Sequence, residues 1–506
     1  MKRVKRYIAC LLTLLLITGC GSNTQKAKEG NVYYEIFVRS FYDSDGDGTG
    51  DLQGIIQKLD YLDDLGISGI WLMPIMPSET YHKYDVDDYY SIDESYGTME
   101  DFEELVSKAK EKDIDIIIDL VLNHTSDTHE WFVKATNSVR KGKCEEPNSY
   151  CDYYNFTTER KGKYYVVPGS PYFYEAVFVD GMPDLNLSSE NVRNEIVNIV
   201  DFWMNKGVKG FRLDAVLHYF GENTPKNIEF LTWFTDLVRS YDEDAYIVDE
   251  AWTNNSTIYS EYFKSGSSAF DFDLSQSGGD IVSTIRGERG AKLAKQVVEY
   301  DSLIHSYDEN AINSVFLSNH DQGRSAAFFA ADENSTKFMA NVYLLMPGTP
   351  FVYYGEEIGM LGSGVDENKR LSFIWSDTDD TGMCSLLANS DYTKRRYAAL
   401  DEQQKDKGSL YNHYKKVITV RNNHSSLVNG STELYSTNND AVYGVVSRND
   451  KEEILVIHNF GKSVNEVTVE GYKLSETIVL GDEKITMKQN IVTLPAQSTA
   501  VFIKEN

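Results

Sequence analysis

Lys209-Gly210-Phe211-Arg212-Leu213-Asp214 decides the fold: it is an apolar run that stops on a carboxylate. The pattern recurs twice downstream. Tyr246-Ile247-Val248 leads into Asp249-Glu250, and Val315-Phe316-Leu317 leads through Ser318-Asn319-His320 to Asp321. Short apolar runs bounded by turn signals and helical stretches mark buried parallel strands. In a closed β/α barrel, carboxylates at the C-terminal ends of different strands converge on one face. Carboxylates sharing a cleft can break a glycosidic bond, one as acid and one as nucleophile. A single acid after a strand can simply cap the next helix. Three of them, with Arg212 two residues before the first and His320 beside the last, are harder to explain that way.

Outward from these segments, eight candidate strands can be laid out, at 32–38, 69–73, 114–120, 209–213, 246–248, 269–274, 314–318 and 351–354. Eight is the number a closed β/α barrel needs. Between them lie amphipathic helical patterns, such as Ile55, Leu59 and Leu62 before Gly66, and Val192, Ile196, Ile199 and Trp203 before Gly207. Phe102, Leu105, Val106 and Ala109 recur in the same way. The connection 125–182 after the third strand is too long for an ordinary loop and shows no long helical period; such insertions at the top face are usually functional. From about residue 426 the text changes to short strand-like runs at 442–446, 454–460, 467–469 and 500–503. The expected architecture is therefore a (β/α)8 TIM barrel (31–124 and 183–425) with an insertion (125–182) and a C-terminal antiparallel β-sandwich (426–506).

Gly210-Phe211-Arg212-Leu213-Asp214-Ala215 and Phe316-Leu317-Ser318-Asn319-His320-Asp321 closely resemble two signature segments of glycoside hydrolase family 13, the α-amylase family. Asp119-Leu120-Val121-Leu122-Asn123-His124-Thr125-Ser126 is similar to a third, Met182-Pro183-Asp184-Leu185-Asn186 to a fourth, and Val248-Asp249-Glu250-Ala251-Trp252 to a fifth, with Asp249 where many members have Gly. The Met-Pro-Asp-Leu-Asn segment resembles the subgroup intermediate between oligo-1,6-glucosidases and neopullulanases. The resemblance implies Asp214 as nucleophile, Glu250 as acid/base and Asp321 as transition-state stabiliser, with the insertion as domain B. It further implies sugar contacts from Tyr84, His124 and His320, and from Asp366 and Arg370 at the next sugar toward the non-reducing end. Lys83 stands where a Gly is frequent. Arg212, two residues from Asp214 on the same strand, faces the same side and can keep the nucleophile ionised. Glu250 needs a raised pKa to stay protonated near neutrality. Ala215 after the nucleophile and His218 favour α-1,4 specificity, whereas Leu217 replaces a frequent Lys. Cyclomaltodextrinase, neopullulanase or α-glucosidase activity is the enzymatic alternative; intact carboxylates argue against a non-catalytic glucan-binding homologue.

Asp43-Ser44-Asp45-Gly46-Asp47-Gly48-Thr49-Gly50-Asp51 places acids at alternate positions with Gly at the sixth, the opening half of a Ca²⁺ loop. Asp43, Asp45, Asp47 and Asp51 would donate carboxylates and Thr49 its carbonyl, as in the calcium loop of many family members. A second calcium site is matched by Asn123, Asn186 and the carbonyl of His218.

The N-terminus sets the expected compartment. Lys2, Arg3, Lys5 and Arg6 precede an apolar run from Tyr7 to Ile17 and then Thr18-Gly19-Cys20. That is a secretory signal too short to span a bilayer stably. It resembles a bacterial lipoprotein signal (1–19), with Cys20 lipidated, residues 20–30 as a tether, and a membrane-anchored protein at the cell surface. Removing the signal lowers lysine plus arginine from 49 to 45 against 78 acids, a charge of about −33. Such acidity disfavours nucleic acid and anionic surfaces but does not oppose a neutral glucan. Cys144 and Cys151 can close a small disulfide loop, leaving Cys384 unpaired and buried. A calcium-binding monomer acting on starch or maltodextrin is the expected protein.

Overall fold

A computed structural model describes residues 31–391 and 394–505. The signal, the tether and Cys20 lie outside the described residues. Eight parallel strands close into a barrel: β1 (Tyr33–Ile36), β2 (Gly69–Leu72), β3 (Asp115–Leu120), β7 (Gly210–Leu213), β9 (Tyr246–Asp249), β10 (Ser268–Phe270), β11 (Asn313–Phe316) and β12 (Thr349–Tyr353). All eight overlap the runs read from sequence. The sixth ends earlier than its apolar text: the Asp271 N–H makes the last bond to the neighbouring strand, at the Ser314 carbonyl, and its carboxylate accepts from Tyr259, Asn313 and the Leu274 N–H where the chain turns away. Between β3 and β7 the chain inserts a small antiparallel sheet, β4 (Phe156–Thr157), β5 (Tyr164–Val166) and β6 (Phe173–Glu175), in the order β4-β6-β5. A short β8 (Tyr219–Glu222) follows β7.

The insertion also holds a helix, Glu130–Lys141, which corrects the expectation of a stretch without helical period. Trp131, Phe132, Ala135, Thr136 and Val139 form its buried face, the His129 ring accepts the Trp131 N–H, and Gly142 ends it at φ 65°. The other helices follow the capping signals. Asp51, Thr98 and Ser189 cap helices Leu52–Leu65, Met99–Lys110 and Glu190–Asn205 through their side chains, and Gly66 closes the first at φ 95°. The third helix buries Val192, Ile196, Ile199, Val200 and Trp203. Burying each large apolar side chain contributes about 1.5–3 kcal/mol. Trp203 packs edge-on to Phe102 at 5.2 Å and donates its indole N–H to the Tyr89 carbonyl at 2.9 Å. Trp203→Ala would therefore cost about 3–5 kcal/mol.

Inside the barrel, side chains alternate inward by layers. The lower layers are aromatic: Tyr33 stacks between Tyr246 (5.0 Å) and Phe351 (5.1 Å), with Trp71, Phe270 and Phe316 beside them. The next inward positions up the strands are Glu35, Asp119, Arg212 and Glu250, so a charged layer rests on an aromatic floor. Gly210 lets β7 and β9 approach this closely: a Cβ there would lie 1.8 Å from the Tyr246 carbonyl oxygen, and φ is 148°. C-terminally, β13 (Ser431–Leu434), β14 (Val442–Arg448), β15 (Glu453–Asn459), β17 (Tyr472–Ile478) and β20 (Ser498–Lys504) form one sheet, in the order β13-β14-β15-β20-β17. A second sheet has the order β16-β19-β18, from β16 (Asn465–Thr468), β18 (Thr486–Lys488) and β19 (Ile491–Leu494). Leu455, Ile457 and Phe502 face the small sheet, whereas Ile454, Val456 and Val501 join the barrel's core. That double burial explains the continuous apolar text of β15 and β20.

Cys144 and Cys151 form the disulfide, and Cys384 is free and buried. No helix among the described residues is long and apolar enough to cross a membrane.

Candidate active site

Register assembles the site. Asp119 on β3 lies opposite Arg212 on β7, and the Glu250 N–H reaches back to the Leu213 carbonyl at 2.9 Å, so Asp214 and Glu250 stand level. Arg212 is 1% exposed, and its guanidinium ties three strands together. Nη1 lies 2.9 Å from Asp119 Oδ1 and 2.7 Å from Asp214 Oδ1, and Nη2 lies 2.8 Å from Glu250 Oε1. Its carbon sits 5.2 Å over the Trp71 ring. A cation this buried is tolerated only when paired, and the three carboxyls pair its terminal nitrogens.

Burial pushes the Glu250 carboxyl up to about 8; Arg212 opposes the shift, and the Asp214 and Asp321 anions add to it. The other Glu250 oxygen accepts the Ala215 N–H at 3.0 Å. Ala215 adopts φ 53°, an uncommon conformation for a residue with a Cβ, directly after Asp214. Burial likewise raises Asp119, to about 6, against the pull of Arg212.

Across the site, Asp321 is half-buried and held by two cations. Arg370 Nη2 lies 2.7 Å from its Oδ1 and His320 Nε2 3.2 Å from its Oδ2. Burial works against ionisation there, but His320 and Arg370 hold the carboxyl well below the usual range. Burial also disfavours a charged His320, yet Asp321 and Glu35 raise its pKa to about 10, so the ring is doubly protonated at neutral pH. Its Nδ1 donates to Glu35 Oε1 at 2.6 Å. The Tyr84 hydroxyl donates to Asp119 Oδ2 at 2.9 Å and lies 2.8 Å from His320 Nε2, with the two rings stacked at 15°. His124 is kept neutral by burial, and its Nε2 lies 3.2 Å from the Tyr84 carbonyl.

Asp214, Glu250, Asp321, Arg212, Tyr84, His124, His320 and Arg370 thus form one connected constellation. Asp366 stands at its rim, exposed, bonded to Lys369 at 2.8 Å and 4.0 Å from Arg370. Sequence reasoning missed Glu35, Asp119 and Tyr81 as contributors. Asp119 lay inside a quoted motif, and its place two residues beyond inward Ile117 was the available signal; Glu35 had no signal beyond a charge in an apolar strand.

In the 43–51 loop, carboxylate oxygens of Asp43, Asp45 and Asp51 converge within 4.8 Å of one another. Asp43 accepts the N–H groups of Gly46 (2.7 Å) and Gly48 (2.8 Å), while Asp51 accepts those of Ser44 (2.8 Å) and Gly54 (2.7 Å). Among the described residues no ion pair falls on these acids, so the donor set is three hard oxygens that suit a hard cation. Asp47 lies outside the group, exposed, accepting the Thr49 N–H at 2.6 Å. Asn123, Asp184, Asn186 and His218 line one cavity of about 990 Å³ between insertion and barrel. There Asn123 donates to Asp184 at 3.2 Å and Asn186 to the Asp152 carbonyl at 2.9 Å; burial raises Asp184 to about 7.

A (β/α)8 barrel with an acid layer of this kind at its C-terminal face defines a carbohydrate-cleaving barrel enzyme. Residues 35–430 match the family model "Alpha amylase, catalytic domain", and the chain belongs to that family, glycoside hydrolase family 13. It is a glycoside hydrolase of the α-amylase type. Alpha-amylase 3 of Dictyoglomus thermophilum is 38% identical across 99% of this chain and 98% of its own length. An oligo-1,6-glucosidase of Bacillus cereus is 30% identical over 85% of this chain and 90% of its own. Among solved structures, Eubacterium rectale Amy13B superposes with a TM-score of 0.90 at 40% identity, covering 95% of this chain and 96% of its own.

Proposed function

We propose that this enzyme is a retaining hydrolase of α-1,4-glucosidic links in starch or maltodextrin, with Asp214 as nucleophile and Glu250 as acid/base. The observation that carries the reading is the single Arg212 fork that orients both carboxyls, one toward each of its terminal nitrogens. The Asp214 carboxylate attacks the anomeric carbon while Glu250, protonated below about pH 8, delivers its proton to the leaving oxygen. Glu250 then takes a proton from water, which releases the sugar from Asp214 with its configuration restored. Asp321 supplies negative charge beside the cationic transition state. Tyr84, His124 and His320 bound the sugar at the cleavage point, and Asp366 and Arg370 stand toward the next one. The α-amylase name of the relative that is 38% identical over 99% of this chain supports α-1,4 specificity over the oligo-1,6 alternative, whose named relative is 30% identical. Product profiles on amylose, pullulan and cyclodextrins test this. Linear maltooligosaccharides from amylose, with little attack on the others, are expected; faster turnover of cyclodextrin or pullulan would overturn the specificity.

Calcium fits the 43–51 loop. Asp43, Asp45 and Asp51 would hold it, whereas Asp47, expected as a ligand, points outside the group; a bound ion would clamp the chain after β1 onto the helix that begins at Leu52. Asn123, Asn186 and the His218 carbonyl are a further calcium candidate. Cys20 is proposed as a lipid anchor that places a monomeric enzyme at the cell surface, on the basic, apolar, Ile-Thr-Gly-Cys signal.

A further inference from the structure

Lys83 lies between His82 and Tyr84 in the loop after β2, with φ 62°, in the left-handed region that glycine fills most easily. Its side chain is 7% exposed, and lysine is almost never so buried unless paired. The ammonium meets Asp93 Oδ2 at 2.5 Å and sits 4.9 Å over the Tyr96 ring. Asp93 is itself fixed: its carboxylate accepts the backbone N–H and hydroxyl of Ser95, and its own N–H donates to the Ile75 carbonyl at 2.9 Å. The same loop also supplies contacts to the active site. Tyr84 reaches Asp119 and His320, its carbonyl meets His124, and the Tyr81 hydroxyl lies 3.2 Å from Arg370 Nη1, whose other nitrogen holds Asp321.

A lysine backbone held in an uncommon conformation, with its charge taken out of water, is stable only because something fixes both. We propose that Lys83 is a positioning residue, its buried ion pair with Asp93 locking residues 81–84 in the turn that aims Tyr84 and His124 at the sugar being cleaved. A neutral side chain at 83 leaves the left-handed turn unsupported and Asp93 without its counter-charge. The Tyr84 ring then samples positions away from His320. Misplacement on the ångström scale at a reacting centre costs up to about 10²-fold in rate.

The inference rests on the proposed glycosidase reading, and one set of assays separates the two. If wild type fails to cleave maltoheptaose, that reading is at fault; if wild type cleaves it, Lys83 is judged on its variants. In Lys83→Met and in Asp93→Asn, kcat on maltoheptaose should fall about tenfold to a hundredfold while KM moves less than about threefold. Lys83→Met placed on Tyr84→Ala should cost less than about threefold, because the positioning acts through Tyr84. A folded Lys83→Met with kcat within about twofold of wild type, or a loss that simply multiplies with that of Tyr84→Ala, overturns the proposal. If Lys83→Met does not fold, Asp93→Asn decides: it leaves the strained Lys83 backbone in place and removes only the counter-charge, and wild-type kcat in that folded variant would overturn the role equally.

Discussion

Replacing Glu250 by Gln removes the transferable acid proton and changes the volume little, so its consequences can be worked from the site. With the carboxyl raised to about 8, the acid is almost fully protonated at pH 6, and only about a tenth of it remains so at pH 9. Positioned general acids contribute about 10²–10⁴-fold, or roughly 3–5.5 kcal/mol at 1.36 kcal/mol per tenfold. That loss should appear in full on maltotriose, whose leaving sugar hydroxyl needs the proton. It should nearly vanish on α-maltosyl fluoride, whose leaving group does not. The ratio of the two losses in kcat/KM should therefore reach at least about 10². On maltotriose the wild-type kcat/KM should decline above about pH 8, and that limb should be absent from Glu250→Gln. The amide offers one acceptor where the carboxyl offers two, to Arg212 and to the Ala215 N–H, so a small drop in melting temperature is expected and is measured alongside. Equal losses on the two substrates, or an unchanged alkaline limb in the variant, would refute Glu250 as the proton donor.

Other outcomes follow from the same structure. Asp249 is fully buried, its carboxyl accepts among the described residues only from Ser267 Oγ at 2.6 Å, and it is raised to about 7 by burial from an ordinary 3.8. Folding thus takes up a proton between those values, and wild-type stability falls as pH rises across that window, by at most about 4 kcal/mol. Asp249→Asn should gain melting temperature relative to wild type steadily from pH 4 to about 7.5 by calorimetry; a flat difference would contradict the buried neutral acid. Chelation should lower the melting temperature of wild type more than that of Asp45→Ala, since a ligand of the folded state stabilises by mass action, and equal responses would count against the 43–51 loop. Cys20→Ala should move the protein from the membrane fraction into the soluble one, and unchanged fractionation would sink the anchor.

The barrel was legible because its strands are buried on both faces and so appear as short apolar runs ending in carboxylates. Motif spacing then located Asp214, Glu250 and Asp321. What stayed hidden depended on contacts between distant segments. Glu35 meets His320 across 285 positions, and nothing local marks a lone acid in β1 as its partner. Arg370, expected at a sugar, also engages Asp321, the His320 carbonyl and Tyr81, partners that no local text announced. The Glu130–Lys141 helix was passed over although Trp131, Ala135 and Val139 keep its period, because the polar and aromatic text around it drowned the pattern. β17 escaped for a different reason: as an edge strand with exposed positions and a bulge at Leu474 and Glu476, it carries no continuous apolar signal. The disulfide could be read from seven-residue spacing; Lys83's burial could not be read at all.

The central claim is a double displacement through Asp214, and the anomeric form of the first product tests it most directly. Proton NMR of maltooligosaccharide hydrolysis, recorded before mutarotation, should show the newly freed reducing end as the α anomer. A β anomer would require direct attack by water across a wider gap between carboxyls, and would contradict the roles given to Asp214 and Glu250 alike.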